Sequence, residues 1–257
     1  MSVLSYIGGR LAYYLHQPSK RGISVATSTP DQLTAVLRKG DVLLVEGTSR
    51  FSTTVKYLTQ STWSHAALYV SAMDDAAASG GQLLEVDILG GVQLVPLSDY
   101  WHMHTRICRP IGLTPAEIDA VVEYGVSRLG YRYDLKNVID LARYLIQTPP
   151  MPSHWRRRAL ALGSGDPTRA ICSSLIAQAY QSVQYPILPE TVHIKPNDRA
   201  SRDYHQELLH IRHYSLFAPR DFDISPYFQI IKPTLQRGFD PHTLTWSDPV
   251  DSEHRDP

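Results

Sequence analysis

An α+β fold, a small antiparallel sheet packed by helices, is what the sequence predicts, on three observations. Short apolar runs bounded by Gly, Pro and Asp recur between positions 38 and 112, as in strands joined by turns. Longer segments with apolar residues at helical spacing follow between 114 and 183, the mark of amphipathic helices. With 43% hydrophobic residues in 257, the chain can fill the core of one large domain or two small ones.

The N-terminal stretch "MSVLSYIGGRLAYYLHQPSK" has no acidic residue, and none comes before Asp31. Leu4, Ile7, Leu11 and Leu15 fall on one helical face. Two readings stand: a helix packed on the domain, or a basic amphipathic helix on an anionic membrane surface. Gly8, Gly9 and Arg10 break the apolar run and no small-residue cleavage site follows, so a secretory signal is not read here. No apolar run approaches the ~20 residues of a membrane span. The expected compartment is the cytoplasm, with peripheral membrane association left open.

"RKGDVLLVEG" (38–47) reads as a turn and a buried strand. "RFSTTVKYLTQST" (50–62) reads as a short helix with Ser52 as its cap. A strand opens at His65 in "SHAALYV". "DDAAASGGQ" (74–82) is a hairpin loop, "LLEVDIL" (83–89) the returning strand, and Gly90-Gly91 a tight turn into "VQLVPL" (92–97). "TRICRPIG" (105–112) is a further strand. Thr114 then caps a helix with Pro115 at its first position and Gly130 as its stop. A second helix is expected over 135–147 and a third over 171–183, where Ile171, Leu175 and Ala179 form a stripe.

The predicted organisation is a helical, basic extension (1–37) and one domain (38–246), with an insertion at 148–170 and a C-terminal extension from about 186. The last 70 residues show only brief apolar runs, and the polar tail 247–257 is expected to be disordered.

Equal numbers of basic and acidic residues, 25 each, argue against a general nucleic-acid binder. Two cysteines, Cys108 and Cys172, are too few for a disulfide framework. Cys172 sits where a loop enters a helix. Backbone N–H groups and the positive end of the helix dipole stabilise a thiolate there. His65 at a strand start is the candidate base, and Glu85, on the strand paired with it, the candidate partner of the imidazole. Taken singly, each has a plainer reading: a core thiol, a strand-end histidine and a solvent-facing carboxylate.

In that order, "KGDVLLVEG", "STWSHAALYV", "LLEVDILGGVQLVPLSDYW", "LGYRYD" and "CSSLIAQAY" resemble the circularly permuted papain-like cysteine hydrolases, the YiiX/YebB-like branch of the NlpC superfamily. The resemblance covers roughly residues 38–185. It implies a permuted papain-like (NlpC-type) fold with the nucleophile at a helix N-terminus, and a Cys-His-Glu triad: Cys172 as nucleophile, His65 as base, Glu85 as its orienter. In ordinary papain-like enzymes the Cys precedes the His, so the reversed order is the permutation's mark. Gly40-Asp41 and Tyr133-Asp134 match two family signatures. Asp41, Tyr133, and Ser64 and Ser173 beside the base and nucleophile, are the candidate substrate-binding residues. The insertion before Cys172 and the chain beyond 186 depart from the family pattern, so substrate identity does not transfer.

Other features read more plainly. Cys108 in "TRICRP" reads as a core thiol. "WRRR" (155–158) is a basic patch, either a solvated helix face or a site for phosphate or anionic headgroups. "GSGDPTR" (163–169) lacks the Lys-Ser/Thr of a phosphate-binding loop. His102, His104, His205, His210 and His213 lack partners at zinc spacing, and no metal is expected. No carboxylates pair as in a glycosidase.

The expected function is a cysteine hydrolase or acyltransferase that cleaves an amide or ester through a thioester at Cys172 and needs no cofactor. Its substrate is a small molecule, a peptide or isopeptide, or a lipid acyl group. The rival readings are a non-catalytic binding module that keeps the groove, and a membrane-surface protein with an inert Cys172.

Overall fold

The computed structural model describes residues 17, 25–70, 80–87, 90–131, 171–188, 190–194, 206–210, 214, 217–236, 238 and 240–243. The N-terminal apolar face, most of the 74–82 loop, the 135–147 helix, the 148–170 insertion with its Arg156–Arg158 patch, Tyr133-Asp134 and the 247–257 tail lie outside the described residues.

The chain forms α1 (Pro30–Val36), β1 (Val42–Val45), α2 (Arg50–Thr59), β2 (His65–Tyr69), β3 (Gln82–Asp87), β4 (Gly91–Pro96), a 3-10 turn (Leu97–Tyr100) and β5 (Thr105–Pro110). Then come α3 (Pro115–Val126), α4 (Ile171–Ser182), β6 (Glu190–Ile194), β7 (Gln206–His210), α5 (Pro219–Asp223), β8 (Phe228–Ile231) and α6 (Pro233–Gln236). Six strands make one antiparallel sheet in the order β4-β3-β2-β1-β5-β8, while β6 and β7 pair separately.

The central strand β1 reads "VLLV" because both of its faces are covered. Val42 and Leu44 join Ala66, Leu68, Leu84 and Cys108 on the face packed by Val121 of α3 and Leu175, Ile176 and Tyr180 of α4. Leu43 and Val45 join Ala67, Tyr69, Leu83 and Ile107 on the other face, under Leu33, Leu37 and Leu97. Each fully buried Leu or Val contributes about 2 kcal/mol by removal from water. α1 therefore belongs to the core, and the domain starts some residues before 38, where the apolar run of β1 alone had set its edge.

Local signals place the helix ends. Thr114 and Glu117 form a reciprocal capping box on α3, with Pro115 at its first turn. On α2 the cap is Ser49, not Ser52: Ser49 is extended (φ −70°, ψ 165°) and its Oγ accepts the Ser52 N–H. Ser52 already lies in the first turn, where its own φ/ψ must be helical. Gly125 lets α3 approach β3 closely, since a Cβ there would sit 2.4 Å from Leu84 Cδ2.

The chain beyond 186 completes the domain. β8 adds a sixth strand beside β5, and Phe217, Phe222 and Phe228 enter the core around Tyr180. Asp223 accepts from Trp63 Nε1 (2.9 Å) and Arg106 Nη1 (2.6 Å), tying this segment back to the chain just before β2 and to β5. Among the described residues no helix is long and apolar enough to cross a membrane.

Candidate active site

Strands β2 and β3 pair only at Leu68↔Leu84 and Tyr69↔Leu83. Beside these, the Val70 N–H donates to the Gln82 carbonyl (3.0 Å). Continued, that register would pair Ala67 with Glu85 and then, hydrogen-bonded, Ala66 with Val86, and both are missing from the ladder. The Ala66 N–H instead faces Cys172 and favours its charged form. The strands part at their His65 and Glu85 end, and the N-terminus of α4 delivers Cys172 into the gap.

This gap explains how residues from two faces of the sheet meet. His65 and Glu85 alternate in phase with Ala67 and Leu83, away from α4. Cys172, the second residue of α4, comes from the opposite helix layer. In a continuous ladder the sheet would separate them.

His65 Nε2 lies 2.8 Å from Glu85 Oε2. A carboxylate only accepts, so Nε2 carries the hydrogen. Nδ1 is left for Cys172, whose sulfur and the imidazole each favour the other's charged form. The Ser173 N–H also favours the charged form of that sulfur.

The electrostatics follow from these contacts. Burial of the imidazole opposes its charge, but Cys172 and Glu85 on either side outweigh that and raise its pKa to about 10. Burial pushes the Cys172 thiol up. The His65 charge and the Ala66 and Ser173 N–H groups outweigh it, and the thiol titrates below its ordinary value. Burial likewise opposes the Glu85 charge, yet bonds from His65, Tyr100 and Gln93 bring it down to about 2. The arrangement favours the charged forms of all three groups, a thiolate beside an imidazolium with a carboxylate behind it.

Access is from the His65 side. A cavity of about 550 Å³ is walled by Thr48, Ser49 and Ser52 from the start of α2, and by Asp99, Tyr100 and Met103 from the segment after β4. His65, Glu85 and Ser64 contribute to its wall and Cys172 does not. Cys172 is 6% exposed and the His65 side chain 22%.

Three of the residues singled out from sequence thus converge: Cys172, His65 and Glu85. Ser64 adjoins them, its Oγ accepting the Gly47 N–H (2.9 Å), which anchors the chain just before His65. Ser173 is fully buried and meets the sulfur through its backbone. Asp41 is placed elsewhere. It precedes β1 at the end remote from His65, 1% exposed, and Arg109 grips it through Nε (2.8 Å) and Nη2 (2.7 Å). It lines no part of the cavity, so the substrate-binding reading of Asp41 gives way to a structural one. Tyr133 lies outside the described residues. Cys108 is fully buried in the core, and burial pushes its thiol up. Among the described residues no cluster of His, Cys, Asp or Glu is placed to hold a metal.

Two contributors escaped the sequence reading. Gln93 sits opposite Glu85 in the β3–β4 pair and donates from Nε2 to Oε1 (2.9 Å). A two-residue turn at Gly90-Gly91, as read from sequence, would set Glu85 against Pro96; the observed Asp87↔Gly91 pairing moves the turn back and sets Gln93 there instead. Tyr100 donates its hydroxyl to Glu85 Oε2. It arrives on a 3-10 turn, for which the sequence offered no motif.

No family model matches the chain, and no curated protein matches it. Among solved structures it is similar to a protein described as the metalloprotein yiiX from Escherichia coli O157:H7, DUF1105. The two share 16% identity at a TM-score of 0.45, over 76% of this chain and 96% of that one.

Proposed function

We propose that the protein is a thiol hydrolase or acyltransferase of permuted papain-like type, acting on an amide or ester carbonyl. The observation that carries this reading is the relay Cys172–His65–Glu85, with the sulfur beside the backbone N–H groups of Ala66 on β2 and Ser173 at the start of α4.

The Cys172 thiolate attacks the carbonyl carbon, a C–S bond forms, and the π electrons move to the carbonyl oxygen. The Cys172 backbone N–H at the start of α4 is the donor proposed for that oxyanion. The oxyanion collapses and expels the amine or alcohol, which takes the proton from His65. A thioester on Cys172 remains. The now neutral His65 removes a proton from water, or from an acceptor hydroxyl or amine, as it attacks the thioester. Collapse then releases the acyl product and regenerates thiolate and imidazolium. Glu85 remains ionised, holding Nε2–H so that Nδ1 faces sulfur. Because the cavity is walled by His65, the leaving group and the incoming acceptor are assigned to that side.

The test is the pH dependence of Cys172 alkylation by iodoacetamide, in wild type and in His65→Ala. An activated thiolate alkylates at mildly acidic pH, and His65→Ala shifts the curve toward that of a free thiol, pKa ~8.5. Superimposable curves overturn the reading. A panel of amide, isopeptide and long-chain acyl ester substrates, with the acyl-enzyme trapped by hydroxylamine, then separates peptide from lipid acyl substrates.

A further inference from the structure

We infer that Tyr100 is a positioning residue for the triad, acting through Glu85 on the Cys172–His65 pair; this rests on the proposed thiol chemistry. Its hydroxyl donates to Oε2, the oxygen that also takes the bond from His65 Nε2. Its ring flanks the imidazole, with centroids 6.1 Å apart and planes 19° from parallel. The same residue therefore holds the carboxylate and backs the ring that the carboxylate orients.

Three donors meet at Glu85: His65 and Tyr100 at Oε2, Gln93 at Oε1. A carboxylate held at one oxygen turns about its last torsion and presents the other. With both oxygens engaged it keeps one orientation, and the imidazole keeps Nδ1 toward sulfur. The chemistry of the third donor matters. A Lys or Arg here would compete with the imidazolium as the counter-charge of Glu85. A phenol stabilises the carboxylate while bringing no charge. Burial and the Glu85 charge push the Tyr100 pKa well above its usual value, so the hydroxyl remains a donor wherever the protein is folded. Tyr100 also carries part of the cavity wall with Asp99 and Met103, which places this support where a bound substrate touches it.

The experiment is a double-mutant cycle read by Cys172 alkylation against pH, which needs no substrate. Tyr100→Phe keeps the ring and removes the hydroxyl. Hydrogen bonds to charged groups are worth enough to move the acid limb of the curve up by roughly one pH unit. In a Glu85→Gln background the same substitution moves the limb little, because the group it acts through is gone. A melting-temperature loss with an unmoved curve overturns the role, as a merely structural tyrosine behaves that way. So does an equal shift in both backgrounds. If Tyr100→Phe does not fold, 3-fluorotyrosine at position 100, a more acidic donor of nearly the same size, shifts the limb when Tyr100 acts through this bond and leaves it in place when it does not. Wild-type alkylation that follows a free thiol overturns the proposed thiol chemistry itself, a result distinct from any seen with Tyr100 alone.

Discussion

His65 and Glu85 are joined by a 2.8 Å hydrogen bond at a level of the sheet where their strands have ceased to pair. The separation has a function in the architecture. A closed β2–β3 ladder would use the Ala66 N–H on Val86 and leave no opening for the sulfur of α4. Side-chain bonding, from His65 Nε2 to Glu85 Oε2, replaces backbone bonding across the gap.

Glu85→Gln is expected to fold and to lose at least ~100-fold in turnover. An amide facing the ring with its NH₂ makes Nε2 an acceptor and moves the ring hydrogen to Nδ1, where it faces the sulfur. The Cys172 thiol then has no base. Hydroxylamine-trapped acyl-enzyme and the alkylation curve measure this. Wild-type turnover in the variant would remove Glu85 from the site.

The pair also sets how stability varies with pH. Glu85 is depressed from 4.5 to about 2, so its contribution is present above about 4.5 and is lost as pH falls toward 2. His65 is raised from 6.5 to about 10, so its contribution is complete below about 6.5 and is lost as pH rises through 10. The melting-temperature gap between wild type and His65→Gln should be widest between these limits, near pH 5–6, and narrow on both sides. A gap that is flat across pH would show that the two groups do not interact in the folded protein.

Asp41→Ala is expected to cost about 3 kcal/mol, because it strands the largely buried Arg109 guanidinium. Urea unfolding measures the cost. The Cys172 alkylation curve of the folded fraction should match wild type, since Asp41 sits at the far end of β1. A moved curve would return Asp41 to the site.

The acid-free N-terminal segment and the Arg156–Arg158 patch motivate a proposal about location: weak, reversible binding to anionic vesicles. Each basic residue near such a surface contributes about 1 kcal/mol, fading with salt. Co-sedimentation with phosphatidylserine vesicles should detect binding at low salt and lose most of it at physiological salt. Deleting residues 1–21 should weaken it. Absence of binding at low salt would leave the segment as a packing element.

Much of the site was legible in the residues because its signals are local. A strand start at His65, a helix start before Cys172, and a carboxylate two residues into an apolar run each sit within a short window. The α3 capping box and the "VLLV" strand are of the same kind. The reading failed where a local signal had two solutions. Ser52 of "SRFS" reads as the cap of α2, but the phase of the helix gives that place to Ser49. Gly40-Asp41 matched a signature, but its carboxylate turned to Arg109, 68 residues away.

By itself, then, the sequence determined the alternation of strands and helices, the order His–Glu–Cys along the chain, and the chemical types able to form a thiol relay. Periodicity, turn residues and caps act over a few neighbours, so they survive in the linear text. Only the tertiary structure decided that β2 and β3 separate beyond Leu68, that Tyr100 and Gln93 saturate Glu85, and that the chain beyond 186 closes the sheet through β8. These depend on which surfaces are buried together. Desolvation makes every polar group in the gap find a partner, and the partners come from wherever the packed layers bring them.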